Sequence, residues 1–257
     1  MKIRFLGAHN TETRDTKLSG LLVDDVLALY AGGLTSSLTL SEQLALKAVL
    51  ITHRHYDHVK DLPLLAMNHS LNGKTIDVYC LENTAEAISS SLLGGAMYPN
   101  FLIENGDGRI TVKLNIVKPY LKVQIDNYSI IPVPVPHSVP AVGYRISGKG
   151  GKSFFYTGDT GPGLAETWER VSAKLLITEV TASNGYRKFC CDKGHLCPEL
   201  LKEELLNHLN DKGYIPDVIA VHMNHMLEDR IRRELAEVAE ELGISIKTAF
   251  EGKQIEI

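Results

Sequence analysis

The chain has 257 residues, 44% of them hydrophobic, and its 27 basic and 31 acidic residues give a formal charge of -4. This length and apolar content suffice for a sizeable core, while the near-balance of charge excludes a general pull toward nucleic acid or anionic membrane, so any phosphate recognition must be local. No stretch approaches the roughly 18 apolar residues of a membrane span, and the run Met1 to Gly7 is too short and polar for a secretory segment, so a soluble, cytoplasmic protein is expected.

The chain opens on predicted strands at Lys2 to Leu6, Gly20 to Val23 and Val26 to Tyr30, with a hairpin turn at Asp24-Asp25. The apolar run Ala48 to Ile51 closes a segment that begins at Leu44, fits a buried strand and delivers His53 at its end; a helix from about Asp57 to Leu71 follows. A strand Ile76 to Tyr79, a helix Thr84 to Leu93 and a turn at Asn105 to Gly108 come next. Alternation then predicts an antiparallel meander: Ile110 to Val117, Leu121 to Ile125, Ser129 to Val135, Val142 to Ile146 and Ser153 to Tyr156. The last third alternates helices (Gly163 to Val171, Pro198 to Leu209, Glu228 to Leu242) with strands (Lys174 to Glu179, Val218 to Val221, Ile244 to Ala249). Without a repeat at fixed period or a low-complexity linker, residues 1–257 are expected to form one α/β domain of two similar β-rich halves, closed as a four-layer αββα sandwich. Cys80, Cys190, Cys191 and Cys197 have no CxxC spacing and read as reduced packing or surface thiols.

The decisive signal is Thr52-His53-Arg54-His55-Tyr56-Asp57-His58, where a strand should become a helix. Imidazole and carboxylate are ligands that suit zinc, manganese or iron. In extended chain His53 and His55 point to one side, and the helix start lets Asp57 and His58 fan toward a neighbouring position. Such a run can serve two cations, which can share and activate one hydroxide as nucleophile. Further ligands must come from later strand ends, and His137, Asp159 and His222 are placed for this; Gly158 lets the chain turn before Asp159. His225 rivals His222 but should begin the next helix. His69 and His208 read as helix-surface residues, and His9, just beyond the first strand, as a further residue that could face the site.

HxHxDH, a later lone His, Gly-Asp-Thr and a final strand-end His, in that order, resemble the metallo-β-lactamase fold superfamily over essentially the whole chain. The resemblance implies that His53, His55 and His137 hold one divalent cation, that Asp57, His58 and His222 hold the other, and that Asp159 bridges them, with zinc expected and manganese or iron as alternatives. Within the superfamily, Gly194-His195-Leu196-Cys197-Pro198-Glu199 looks like the histidine loop of the ribonuclease Z and class II cyclic-nucleotide phosphodiesterase branch, and Thr178-Glu179-Val180 resembles its acidic partner. The catalytic set expected is therefore Asp57, His195 and Glu179, with His195, oriented by Glu179, protonating an alkoxide leaving group.

Ribonuclease Z usually carries a tRNA-clasping insertion between the positions matching His137 and Asp159, whereas only 21 residues separate them here. A long nucleic acid is thus disfavoured as partner, and a small phosphodiester such as a cyclic nucleotide is favoured, with Arg54, Arg187 or Lys188 as local phosphate contacts; a homodimer is left open. The alternatives are a lactone, amide or thioester hydrolase on the same site and a di-iron redox protein. Two positions depart from the family pattern: Leu29-Tyr30-Ala31-Gly32 stands where relatives usually read Leu-Asp-Ala-Gly, removing a carboxylate that supports a metal ligand, and Asp61 stands where a glycine commonly follows the DH pair.

Overall fold

The computed structural model describes residues 1–257 and builds two seven-stranded sheets from strands whose apolar residues face inward. In chain order the strands are β1 (Lys2–Gly7), β2 (Gly20–Val23), β3 (Leu27–Leu29), β4 (Ala48–Leu50), β5 (Ile76–Cys80), β6 (Val112–Ile116), β7 (Val123–Ile125), β8 (Tyr128–Val135), β9 (Ala141–Ser147), β10 (Ser153–Tyr156), β11 (Leu175–Glu179), β12 (Asp217–Val221), β13 (Ile246–Thr248) and β14 (Gln254–Glu256). The first sheet runs β14-β1-β2-β3-β4-β5-β6 and the second β13-β12-β11-β10-β9-β8-β7. Each is antiparallel for three successive pairings and parallel for the other three, so the two halves share one plan.

The helices are α1 (Leu34–Ser37), α2 (Leu40–Ala45), α3 (Tyr56–Val59), α4 (Leu62–Leu71), α5 (Glu82–Ile88), α6 (Ala165–Arg170), α7 (Arg187–Lys193), α8 (Pro198–Lys212) and α9 (Glu228–Leu242). Three buried apolar clusters separate four layers. One joins the sheets through residues such as Phe5, Leu29, Tyr144 and Phe154; one packs α1, α4 and α5 on the first sheet through Leu34, Leu65 and Ile88; one packs α6, α8 and α9 on the second through Trp168, Leu205 and Leu235. This is the expected αββα sandwich. It also explains why β2, β3 and β4 are buried at every residue: both faces of each are covered. No helix is long and apolar enough to cross a membrane.

Several expectations need correction. The helix foreseen from Asp57 to Leu71 is two, because Pro63 in the first turn of α4 offers no N–H and the chain breaks at Lys60-Asp61. Asp61 is buried there and accepts the Thr35 N–H (2.8 Å) and hydroxyl (2.9 Å), pinning α1 onto the break. The strand foreseen at Ile110 to Val117 is not part of the antiparallel meander; β6 is a parallel edge strand of the first sheet. His69 and His208 are buried rather than on the surface: each ring nitrogen Nδ1 donates to a backbone carbonyl, Leu65 O and Tyr214 O, and His208 sits edge-on to Trp168. The Asp24-Asp25 turn stands as read, with both residues at positive φ (46° and 61°), as a type I′ hairpin requires.

Candidate metal centre

Most residues expected at the site lie at or just beyond the C-terminal end of a strand, whereas His195 sits in the loop between α7 and α8. After β4 the chain bends at His53, is extended at His55 and then enters α3, so His53 and His55 come off the connecting segment while Asp57 and His58 come off a first helical turn. His137 follows β8, Asp159 follows β10, Glu179 ends β11 and His222 follows β12. The turn before Asp159 requires Gly158: it has φ +64°, and a Cβ there would stand 2.7 Å from the Tyr30 hydroxyl. His222 itself holds φ +62°, a conformation sparsely used by non-glycine residues and concentrated at functional sites.

The structure brings these side chains into three groups, two of which hold the expected ligands and the third Glu179, His195 and His222. His53, His55, His137 and Asp159 offer ligand atoms within 4.8 Å of one another, as do Asp57, His58, Asp159 and His222. In the first, His137 Nε2 lies 3.2 Å from His55 Nδ1 and His53 Nε2 lies 3.9 Å from Asp159 Oδ2. In the second, His58 Nε2 is 3.0 Å from Asp57 Oδ2 and 3.2 Å from Asp159 Oδ2, and His222 Nε2 is 3.3 and 3.4 Å from the same two oxygens. Ligand atoms about 2.0–2.1 Å from a tetrahedral cation stand about 3.3 Å apart, so these spacings suit zinc-sized ions. Asp159 Oδ2 belongs to both groups.

Two further observations fit a cation. His53 Nε2 is fully buried among these groups with no partner in the protein, a cost that a metal would relieve. The tautomers also suit ligation: His137 Nδ1 donates to Gly194 O (2.7 Å), which leaves Nε2 facing the other ligands with its lone pair free. Thr181 donates its one hydroxyl proton to Glu179 Oε2 (2.6 Å), so at 2.9 Å from His222 Nδ1 it accepts, and His222 Nε2 is likewise free.

Burial pushes the pKa of His53, His55 and His137 down, keeping these rings neutral as ligation requires. Burial works the same way on His58, but Asp159 and Asp57 outweigh it and raise its pKa to about 10. Burial also opposes charge on Asp57 and Asp159, yet neighbouring imidazoles, chiefly His222 and His58, hold both carboxyls below the ordinary range.

Beside the second group stands His195, with Nδ1 2.6 Å from Glu179 Oε1. Glu179 is fully buried and also accepts from the N–H groups of Thr160, Thr181 and Leu196 and from the Thr181 hydroxyl. Those bonds occupy both oxygens, so Glu179 orients rather than ligates. Burial opposes charge on His195, but Glu179 lifts its pKa to about 9. The residues missed by sequence reasoning are Thr181, two positions after Glu179, and an aromatic wall formed by Tyr186 and Phe189, three apart at the start of α7. With Met226, Asn10 and Asn224 they line a cavity of about 340 Å³ that opens onto His195, whose ring lies parallel to Phe189. A larger cavity of about 770 Å³ lies at the opposite ends of the strands, among Ser153, Leu175 and Asp217.

Other candidates fall outside. His9 is engaged by Glu251 and Glu228, and His225 lies in the turn before α9 beside Thr11. Arg187 pairs with Glu199 and Glu203, and the exposed Lys188 with Asp192; Arg54 is exposed. The cysteines are free, with Cys191 exposed and the others buried.

The sequence model of the beta-lactamase superfamily domain matches residues 21–242. Ribonuclease Z from Pyrococcus furiosus is 30% identical over 103 residues, 39% of this chain and 31% of that protein. The chain spans less than half the length of the ribonuclease Z relatives it matches first. Unliganded yeast PDE1 has a TM-score of 0.83 at 17% identity, covering 100% of this chain and 99% of that one, and the metallo-beta-lactamase fold protein YhfI from Bacillus subtilis has 0.78 at 19%, covering 99% of each.

Proposed function

The chain belongs to the beta-lactamase superfamily, and from that premise we propose that residues 1–257 act as one hydrolase domain, a binuclear metal-dependent phosphodiesterase for a small diester such as a cyclic nucleotide. On this reading His53, His55 and His137 hold one divalent cation, Asp57, His58 and His222 the other, and Asp159 is shared, with zinc the first expectation and manganese or iron the alternatives. Such cations supply an activated water and neutralise charge on the phosphate.

The observation that carries the phosphodiester reading is the His195–Glu179 pair next to these ligands. An alkoxide leaving group is a poor one and needs a proton. A histidine with pKa raised to about 9 holds that proton at neutral pH, and Glu179 aims it. The 340 Å³ cavity past His195 lies where a leaving group would extend, and its aromatic wall suits a planar organic group such as a nucleobase. A long RNA is disfavoured, because the stretch between His137 and Asp159 is spent on the β9–β10 hairpin. Ribonuclease Z and PDE1, the similar proteins, bear names of the same reaction class.

The test sets hydrolysis of bis-p-nitrophenyl phosphate and a cyclic nucleotide against a lactone and a cephalosporin. His195→Ala should slow turnover of the cyclic nucleotide, whose leaving group is an alkoxide, about 10²- to 10⁴-fold with metal content, read by mass spectrometry, unchanged, and should slow bis-p-nitrophenyl phosphate less; His55→Ala should lose both activity and metal. Equal rates for wild type and His195→Ala would remove the acid role, and preference for the carbonyl substrates would overturn the phosphodiester reading.

A further inference from the structure

Tyr30 follows β3 and holds φ +71°, an uncommon conformation for a bulky residue, with its side chain fully buried between the two halves of the metal centre. A phenol hydroxyl can donate once and accept twice, and this one does all three. It accepts the Asp159 N–H at 3.0 Å, accepts the Thr52 hydroxyl proton at 3.0 Å and donates to Asp159 Oδ1 at 3.4 Å. With Oδ1 turned toward Tyr30, Oδ2 is the oxygen left facing the histidines. Thr52 has one proton and gives it to Tyr30, so at 2.9 Å from His53 Nδ1 it must accept; His53 then carries its proton on Nδ1 and presents the lone pair of Nε2. One hydroxyl thus sets the orientation of the shared carboxylate and the tautomer of a histidine in the first group.

The same residue leaves its other neighbour unsupported. The Tyr30 ring lies 4.0 Å from the His58 ring, and His58 Nδ1 is buried without a partner. A carboxylate at position 30 would be a natural acceptor for that nitrogen; the tilted Tyr30 ring beside it offers no oxygen or nitrogen acceptor.

We propose that Tyr30 is a positioning residue that makes the two cation positions unequal. The position on His53, His55 and His137 is organised, through Tyr30 and Thr52 at His53 and through Gly194 at His137. The position on Asp57, His58 and His222 has His222 held through Thr181 at 2.9 Å, but it is looser at His58, whose Nδ1 has no partner to orient the ring. This rests on the two-cation assignment and not on the choice of substrate.

The experiment is a cobalt(II) titration of the full chain after chelation and dialysis, followed by visible absorption and by calorimetry. Wild type should fill in two steps, the first at least tenfold tighter than the second. Tyr30→Phe keeps the ring and removes the hydroxyl, and should weaken the first step about 10- to 100-fold while altering its cobalt absorption band. Thr52→Val cuts only the link to His53 and should weaken that same step. Tyr144→Phe is the control: it removes an equally buried hydroxyl, which donates to Ile51 O at 2.9 Å, and should titrate as wild type. Two equal steps in wild type, wild-type titration by both Tyr30→Phe and Thr52→Val, or an equal loss in Tyr144→Phe would overturn the proposal. A wild type that takes up no cobalt would instead end the two-cation assignment beneath it.

Discussion

At the scale of single residues, the proton on His195 governs what pH should do. Glu179 raises its pKa to about 9 against the effect of burial, so His195 is charged and able to donate below that value and loses the ability above it. Diester turnover should therefore fall as pH rises through about 9. Glu179→Gln removes the charge that raises the pKa, and the alkaline limb should move down by a unit or more; pH–rate profiles of the two proteins that share one limb would end the assignment. A second proton sits on His58, whose pKa Asp159 and Asp57 raise to about 10 despite burial. A cation must displace it, so metal uptake at pH 8 should release about one proton and apparent affinity should rise with pH. Calorimetry in buffers of different ionisation enthalpy measures this, and zero release would contradict it. Residue type and order pointed to the ligand candidates, while their division between two cations and the Glu179–His195 pair came from the family resemblance. Thr181 and the positive role of Tyr30 were not legible, because a hydroxyl's function depends on which neighbour takes its proton, and that is settled only when distant strands meet.

At the scale of elements, α7 connects a local sequence feature to recognition. Its seven residues put Phe189 parallel to His195, with Tyr186 just before the first turn, and both rings are about half exposed at the cavity mouth. If a planar group stacks there, Phe189→Ala should forfeit about 0.5–1.5 kcal/mol of aromatic contact, which is roughly a 2- to 10-fold rise in KM for a cyclic nucleotide. Turnover should move less than KM. A diester with two methyl groups should show no such change, and equal effects on both substrates would refute stacking. This helix was absent from the sequence reading because Arg187 to Lys193 is too short and too charged to show an apolar period. α2 was equally unread although Thr39 and Glu42 form a capping box, a signal present in the sequence at the right spacing. The long periodic helix α9 was read to its observed bounds. Short elements are defined by what packs on them, and β14, three residues added to the edge of β1, is the extreme case.

At the scale of the whole molecule, the two halves repeat one strand plan, which was legible as two β-rich halves, and the candidate metal centre lies where their strand ends meet. His53, His55, Asp57 and His58 come from the first sheet's side, and His137, Asp159 and His222 from the second's. A cation held by both sides joins the sheets in the folded state and has no such site in the unfolded chain, so its binding free energy adds to stability. At a free concentration a thousand times the dissociation constant, one bound cation contributes about 4 kcal/mol. For a chain of this size about 2–4 °C accompanies each kcal/mol. Chelation should therefore lower Tm by about 8–16 °C, and restoring zinc should recover it. Asp159→Asn weakens the ligand shared by both positions, so its Tm should respond to zinc much less than that of wild type. Differential scanning calorimetry decides the matter: identical Tm values with chelator and with excess zinc would mean that no cation spans the two sheets. An undiminished zinc response in Asp159→Asn would instead show that the cations bind without their common ligand.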